Sequence, residues 1–117
     1  MKPVAWLAAL AALGACHGGP PSSLDGDPAR GKVLIGQAQC GACHEIPGVF
    51  EARGLVGPPL AAYGRRTMIA GMLPNTSDNL ALWLRFPQSV TPGNAMPDTG
   101  LSEGQARDVA AYLYTLK

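Results

Sequence analysis

Cys40-Gly41-Ala42-Cys43-His44 sets two thiols about one helical turn apart and follows the second directly with an imidazole. That spacing lets two thioethers form on the two vinyl groups along one porphyrin edge, and the string is a signal for c-type haem attachment. His44 then faces the iron from the side on which the thioethers rise. Other uses of a C-x-x-C pair fit less well. A redox dithiol wants a βαβ context and a zinc ribbon wants a second Cys pair, and the sequence offers neither.

The elements that must position this string occupy one domain, because 117 residues without an internal repeat leave room for little more. Lys2-Pro3 and the apolar run Val4 to Leu13 read as a signal peptide over residues 1–15, too short to span a bilayer. Leu13-Gly14-Ala15-Cys16 resembles the lipobox of bacterial lipoproteins, so Cys16 is expected to carry a lipid and to anchor the protein facing the periplasm. Three Cys fit this division, two for haem and one for lipid, with no odd thiol in an oxidising compartment. Residues 16–26, rich in Gly, Pro and Ser, read as the lipidated Cys and a flexible linker in which His17 is a tether residue. The domain proper spans 27–117.

Within it, Asp27 and Pro28 form a helix start for a helix over Pro28–Gln39 with Val33, Leu34 and Ile35 on its apolar side. A short apolar helix is expected over Thr67–Leu73, with Met68 and Met72 as packing. Thr76 caps a helix that carries Leu80, Trp83 and Leu84 and is closed by Pro87. Ser102 and Gln105 form a capping box ahead of a helix with Val109, Tyr112, Leu113 and Leu116 in one stripe.

The haem string, Gly57-Pro58-Pro59-Leu60, Tyr63-Gly64-Arg65-Arg66 and Pro92-Gly93-Asn94-Ala95-Met96-Pro97 occur in that order. Together they resemble the class I (monohaem) cytochromes c of a compact bacterial type over about residues 27–117. The resemblance implies an all-α fold of three to five helices wrapped around one haem c, covalent through Cys40 and Cys43. It implies that Met96 is the second axial ligand, a soft thioether opposite His44. The carbonyl of Pro58 is then the acceptor for the other ring N–H of His44, since a metal-bound imidazole keeps its orientation only with such a partner. It also implies an Arg on a haem propionate, either Arg65 or Arg66 with Arg65 taken as the candidate. Trp83 is implied on the distal side, Asn94 as a propionate donor, and Gly31 and Tyr112 where the first and last helices cross. Pro59, in place of a commonly polar residue, departs from the pattern.

With both axial positions filled by protein, the implied function is one-electron transfer at a membrane surface. Membrane oxidoreductases or terminal oxidases are the implied partners. A dedicated haem subunit of an oxidoreductase complex is the alternative, and a gas sensor or small peroxidase with labile Met96 a more distant one. No catalytic residue is expected, and the domain is expected to be monomeric. Net charge is +1, and without Lys2 acidic and basic side chains balance, so long-range steering of partners is expected to be modest. No basic cluster interleaved with aromatics suggests nucleic-acid binding. Aromatic residues make up only 6% of the chain, so a porphyrin must supply much of the apolar core. Replacing Cys40 and Cys43 by Ser should therefore abolish the cooperative thermal melt; a native-like melt without haem would count against this.

Overall fold

Asp27 opens the first helix of the computed structural model, which describes residues 25–117. The expected signal peptide, Cys16, His17 and all but the last two residues of the linker lie outside the described residues. Helix α1 (Pro28–Gln37) is capped as its sequence requires. The Asp27 carboxylate accepts from the N–H groups of Ala29 at 2.9 Å and Arg30 at 3.3 Å, and Pro28 stands in the first turn, where its missing N–H is harmless. The helix stops two residues before Gln39, which takes a left-handed φ of 56° and swings the chain into the haem string. Ile35 is buried and Leu34 half-buried, but Val33 is exposed. At about 100° per residue, three consecutive side chains cannot share one face.

β1 (Met68–Ile69) and β2 (Leu73–Pro74) replace the short helix expected over Thr67–Leu73. They pair antiparallel, Met68 with Pro74 and Ile69 with Leu73, around a turn closed by Met72 N–H to Ile69 C=O at 2.9 Å. Ala70 and Gly71 both have positive φ, 51° and 67°, which suits a tight hairpin and ends any helix. Only Ile69 of this stretch is fully buried; Met68 and Met72 are exposed rather than packed.

α2 (Ser77–Arg85) starts at Thr76, whose side chain accepts from Asn79 N–H at 3.2 Å. It buries Leu80, Ala81 and Leu84. Pro87, expected as a closing residue, instead begins the one-turn helix α3 (Pro87–Val90). α4 (Glu103–Thr115) follows the predicted capping box, with Gln105 N–H to Ser102 Oγ at 3.2 Å and Ser102 N–H to Gln105 Oε1 at 2.9 Å. The described fold is thus helical apart from the two-residue strands. Among the described residues no helix is long and apolar enough to cross a membrane.

α1 and α4 cross in close contact at Gly31, whose nearest neighbours are the α4 backbone atoms of Asp108 and Val109. A β-carbon at Gly31 would overlap the Asp108 carbonyl. The buried Asp108 carboxylate fixes the same crossing by accepting from Asp27 N–H at 2.8 Å and from Arg30 at 3.4 Å. Tyr112 donates its hydroxyl to the Pro47 carbonyl at 2.7 Å, tying α4 to the loop after the haem string. Ile35, Leu80, Leu84, Val109 and Leu113 fill the space between the helices, joined by Ile46, Leu60, Tyr63 and Ile69 from the loops and hairpin. Gly31→Ala should cost about 3 kcal/mol of stability, because the two helix backbones must separate to admit a methyl group. A denaturant midpoint unchanged from the parent would contradict that packing.

Candidate functional site

The haem string forms a single 3₁₀ turn over Cys40–Ala42, with His44 N–H returning to Cys40 C=O at 3.0 Å. The loop that follows folds back along it through backbone bonds: Gly54 N–H to Gly41 C=O at 3.0 Å and Gly57 N–H to Cys43 C=O at 2.7 Å. These approaches need residues without side chains. A β-carbon at Gly41 would lie 2.7 Å from Ala52 Cβ, and one at Gly57 would lie 2.6 Å from Nδ1 of His44.

His44 Nδ1 lies 2.7 Å from the carbonyl oxygen of Pro58. A carbonyl can only accept, so Nδ1 must carry the proton, and Nε2 is left with the lone pair that a metal requires. Nε2 has no hydrogen bond among the described residues.

His44 borders a cleft of about 560 Å³, within the range of roughly 300–1,000 Å³ usual for small-molecule and cofactor sites. Cys40, Cys43, Pro58, Trp83, Asn94 and Met96 line it too, so residues more than 50 positions apart in sequence meet in one place. The lining is mostly apolar, and Leu60, Tyr63, Trp83 and Met96 join it to the aliphatic core beneath, where a void of about 50 Å³ touches Ile35, Leu80 and Val109. Among the described residues, no group of three or more His, Cys, Asp or Glu side chains is placed to hold a metal ion.

A family model described as Cytochrome c matches residues 28–117. The chain belongs to the cytochrome c family. It is 35% identical to the cytochrome c2 of Rhodopila globiformis over 111 residues, covering 82% of this chain and 99% of that protein. It is also 37% identical over 89 residues to cytochrome c oxidase subunit 2 of Alkalihalophilus pseudofirmus (strain ATCC BAA-2126 / JCM 17055 / OF4), covering 75% of this chain and 25% of that subunit. The corresponding figures for the oxidase subunit 2 of Bacillus sp. (strain PS3) are 40% over 92 residues, with 75% and 26% covered. The chain therefore spans about a quarter of the length of these oxidase subunits.

As a cytochrome c, it carries haem c with its iron, bound through Cys40 and Cys43, and serves haem-based electron transfer. The site suits that group: two free thiols at its edge, an imidazole in the tautomer that leaves Nε2 open, and an apolar cleft continuous with the core. Burial pushes the Cys40 thiol up from its ordinary range.

Two of the expected contacts are placed differently. Arg65 is exposed and does not line the cleft, whereas Arg66 does. The reason is the 3₁₀ turn over Tyr63–Arg65, in which residues three apart share an edge, so that buried Tyr63 is followed by Arg66 on the cleft side. Arg66 reaches across the Tyr63 ring at 5.0 Å and donates to the Pro59 carbonyl. Asn94 lines the cleft, but both its N–H donors are taken, by Pro87 C=O at 3.0 Å and Thr91 C=O at 2.7 Å. It is left without a donor for a propionate. Cys16 lies outside the described residues.

Gly57 and Tyr63 stand within quoted motifs without a role of their own, and Gln88 stands in none. Gly57 stands beside Pro58 in a recognisable turn, yet its need to clear the imidazole emerges only in three dimensions. Burial, then the nearby Tyr114, push the Tyr63 phenol up to about 12 against the opposing pull of Arg66. In the unfolded chain the same group titrates near 10.0. Between those values the unfolded state gives up a proton that the folded state keeps, so stability present below pH 10 falls as pH rises towards 12. Tyr63→Phe should flatten that decline, measured by denaturant unfolding of the haem-loaded protein from pH 9 to 12.

Proposed function

We propose that this cytochrome c is a one-electron carrier whose iron is held between His44 and Met96, and that Cys16 tethers it to a membrane facing the periplasm. The observation that carries the reading is that one cleft is bordered by an imidazole with its Nδ1 already satisfied and by Met96, a residue with a thioether to offer. Haem c supplies a reversible one-electron couple when bound. The chain's own residues do the rest.

Pro58 orients the imidazole, and Leu60, Tyr63 and Trp83 keep water from the inner wall of the cleft. A dry, rigid setting with a His and a Met suits electron transfer, because little has to move when the iron changes charge, and the thioether favours the reduced state. Arg66 has guanidinium donors to spare for a propionate. The lipid would raise the local concentration of the carrier near membrane partners.

Likeness to two cytochrome c oxidase subunits favours a terminal oxidase as one such partner, with the domain acting either as a free monomeric donor or as a subunit of the complex. Copurification with an oxidase separates these two. The ligand assignment is tested by absorption spectra of the oxidised and reduced protein, with and without carbon monoxide. The parent should take up no carbon monoxide without denaturant; Met96→Ala should bind it on mixing and show a lower reduction potential. Equal carbon monoxide binding by parent and variant would remove Met96 from the iron.

A further inference from the structure

We infer that Gln88 is a positioning residue whose side-chain amide, together with that of Asn94, clamps the backbone of Met96 and so holds its thioether in the cleft. This rests on the assignment of Met96 as a ligand. Between Pro92 and Asp98 the only backbone–backbone hydrogen bond among the described residues is Asn94 N–H to Thr91 C=O at 3.2 Å. Left to its backbone, this stretch has almost nothing to fix it.

Side-chain amides take over. Gln88 Nε2 donates to Asn94 C=O at 2.8 Å and to Met96 C=O at 2.7 Å, while its Oε1 accepts from Gly93 N–H at 3.0 Å. Asn94 Oδ1 accepts from Met96 N–H at 2.7 Å. Both backbone polar groups of Met96 therefore end on amide side chains, one on each side. Both amides are tied to α3, because Gln88 belongs to that helix and Asn94 donates to Pro87 C=O; the Gln88 backbone N–H also holds the end of the loop by donating to the Asp98 carboxylate at 3.1 Å. Pro87 is buried, so the platform carrying the clamp is itself seated in the core.

The chemistry singles out an amide at position 88. Two carbonyls must be met by donors and one N–H by an acceptor, on the same side-chain end. Glutamate loses both donors and sets a charge against two carbonyl oxygens; methionine keeps the length and loses all three bonds. A neutral thioether is a weak ligand, so whether it stays on iron depends on how well the loop presents it. Gln88 does not line the cleft and acts only through Met96.

The test compares haem-loaded parent, Gln88→Met, Gln88→Glu and, as a control on the same turn, Ser89→Ala. The readouts are the sulfur-to-ferric-iron absorption band and the rate of carbon monoxide uptake by the ferrous form. With each lost hydrogen bond weakening closure by about fivefold, carbon monoxide uptake should rise roughly tenfold to a hundredfold in either Gln88 variant. The band should weaken in parallel, and Ser89→Ala should match the parent. A folded Gln88 variant with an unchanged band and unchanged uptake would overturn the clamp while leaving Met96 as ligand. A parent that lacks the band would overturn the ligand assignment and the clamp with it. Hydrogen exchange on the parent decides the matter even where both variants fail to fold. The Gly93 and Met96 amides, bonded only to side chains, should be protected, and exchange at unfolded-chain rates would overturn the clamp.

Discussion

The hydrogen bond from His44 to the Pro58 carbonyl is the constraint around which the rest of the structure is arranged. It selects one tautomer and one ring orientation, and it requires the chain to return to the haem string within 14 residues. That return is possible only because Gly41, Gly54 and Gly57 allow backbone to lie against backbone or ring. Proline at 58 costs nothing there, since the carbonyl is what the imidazole uses.

The two sides of the cleft are built by different means. Around His44 the backbone holds itself, through bonds between residues 41–43 and 54–57. Around Met96 the backbone is carried by the side chains of Gln88 and Asn94. A backbone-bonded segment gives way as a unit, whereas a loop hung on two amides can loosen alone, so the Met96 side is where the site is expected to open first.

What was legible in the sequence was what depends on near neighbours. Asp27, Thr76 and the Ser102–Gln105 pair announce their helices because a cap bonds to amides two or three residues on. The haem string and its associated turns were legible as motifs, and the family match covers the same stretch. Thr67–Leu73 was not, because a short apolar run is ambiguous and the outcome turned on Ala70 accepting positive φ beside Gly71. Arg66 rather than Arg65 lines the cleft because of the phase of one 3₁₀ turn. Asn94 turned inward to its own loop. Gln88 gave no signal at all, since its partners lie five to eight residues away and only α3 brings them within reach.

Helix α1 links two unlike places. Its first turn is bound to Asp108 on α4, while the residues just past its last turn, Ala38 and Gln39, form part of the cleft wall. Ten residues of helix separate these points by about 15 Å. The described chain thus begins at the far end of a stiff rod from the cleft. A strain that enters at that end meets the Asp108 staple before it can reach the cleft wall.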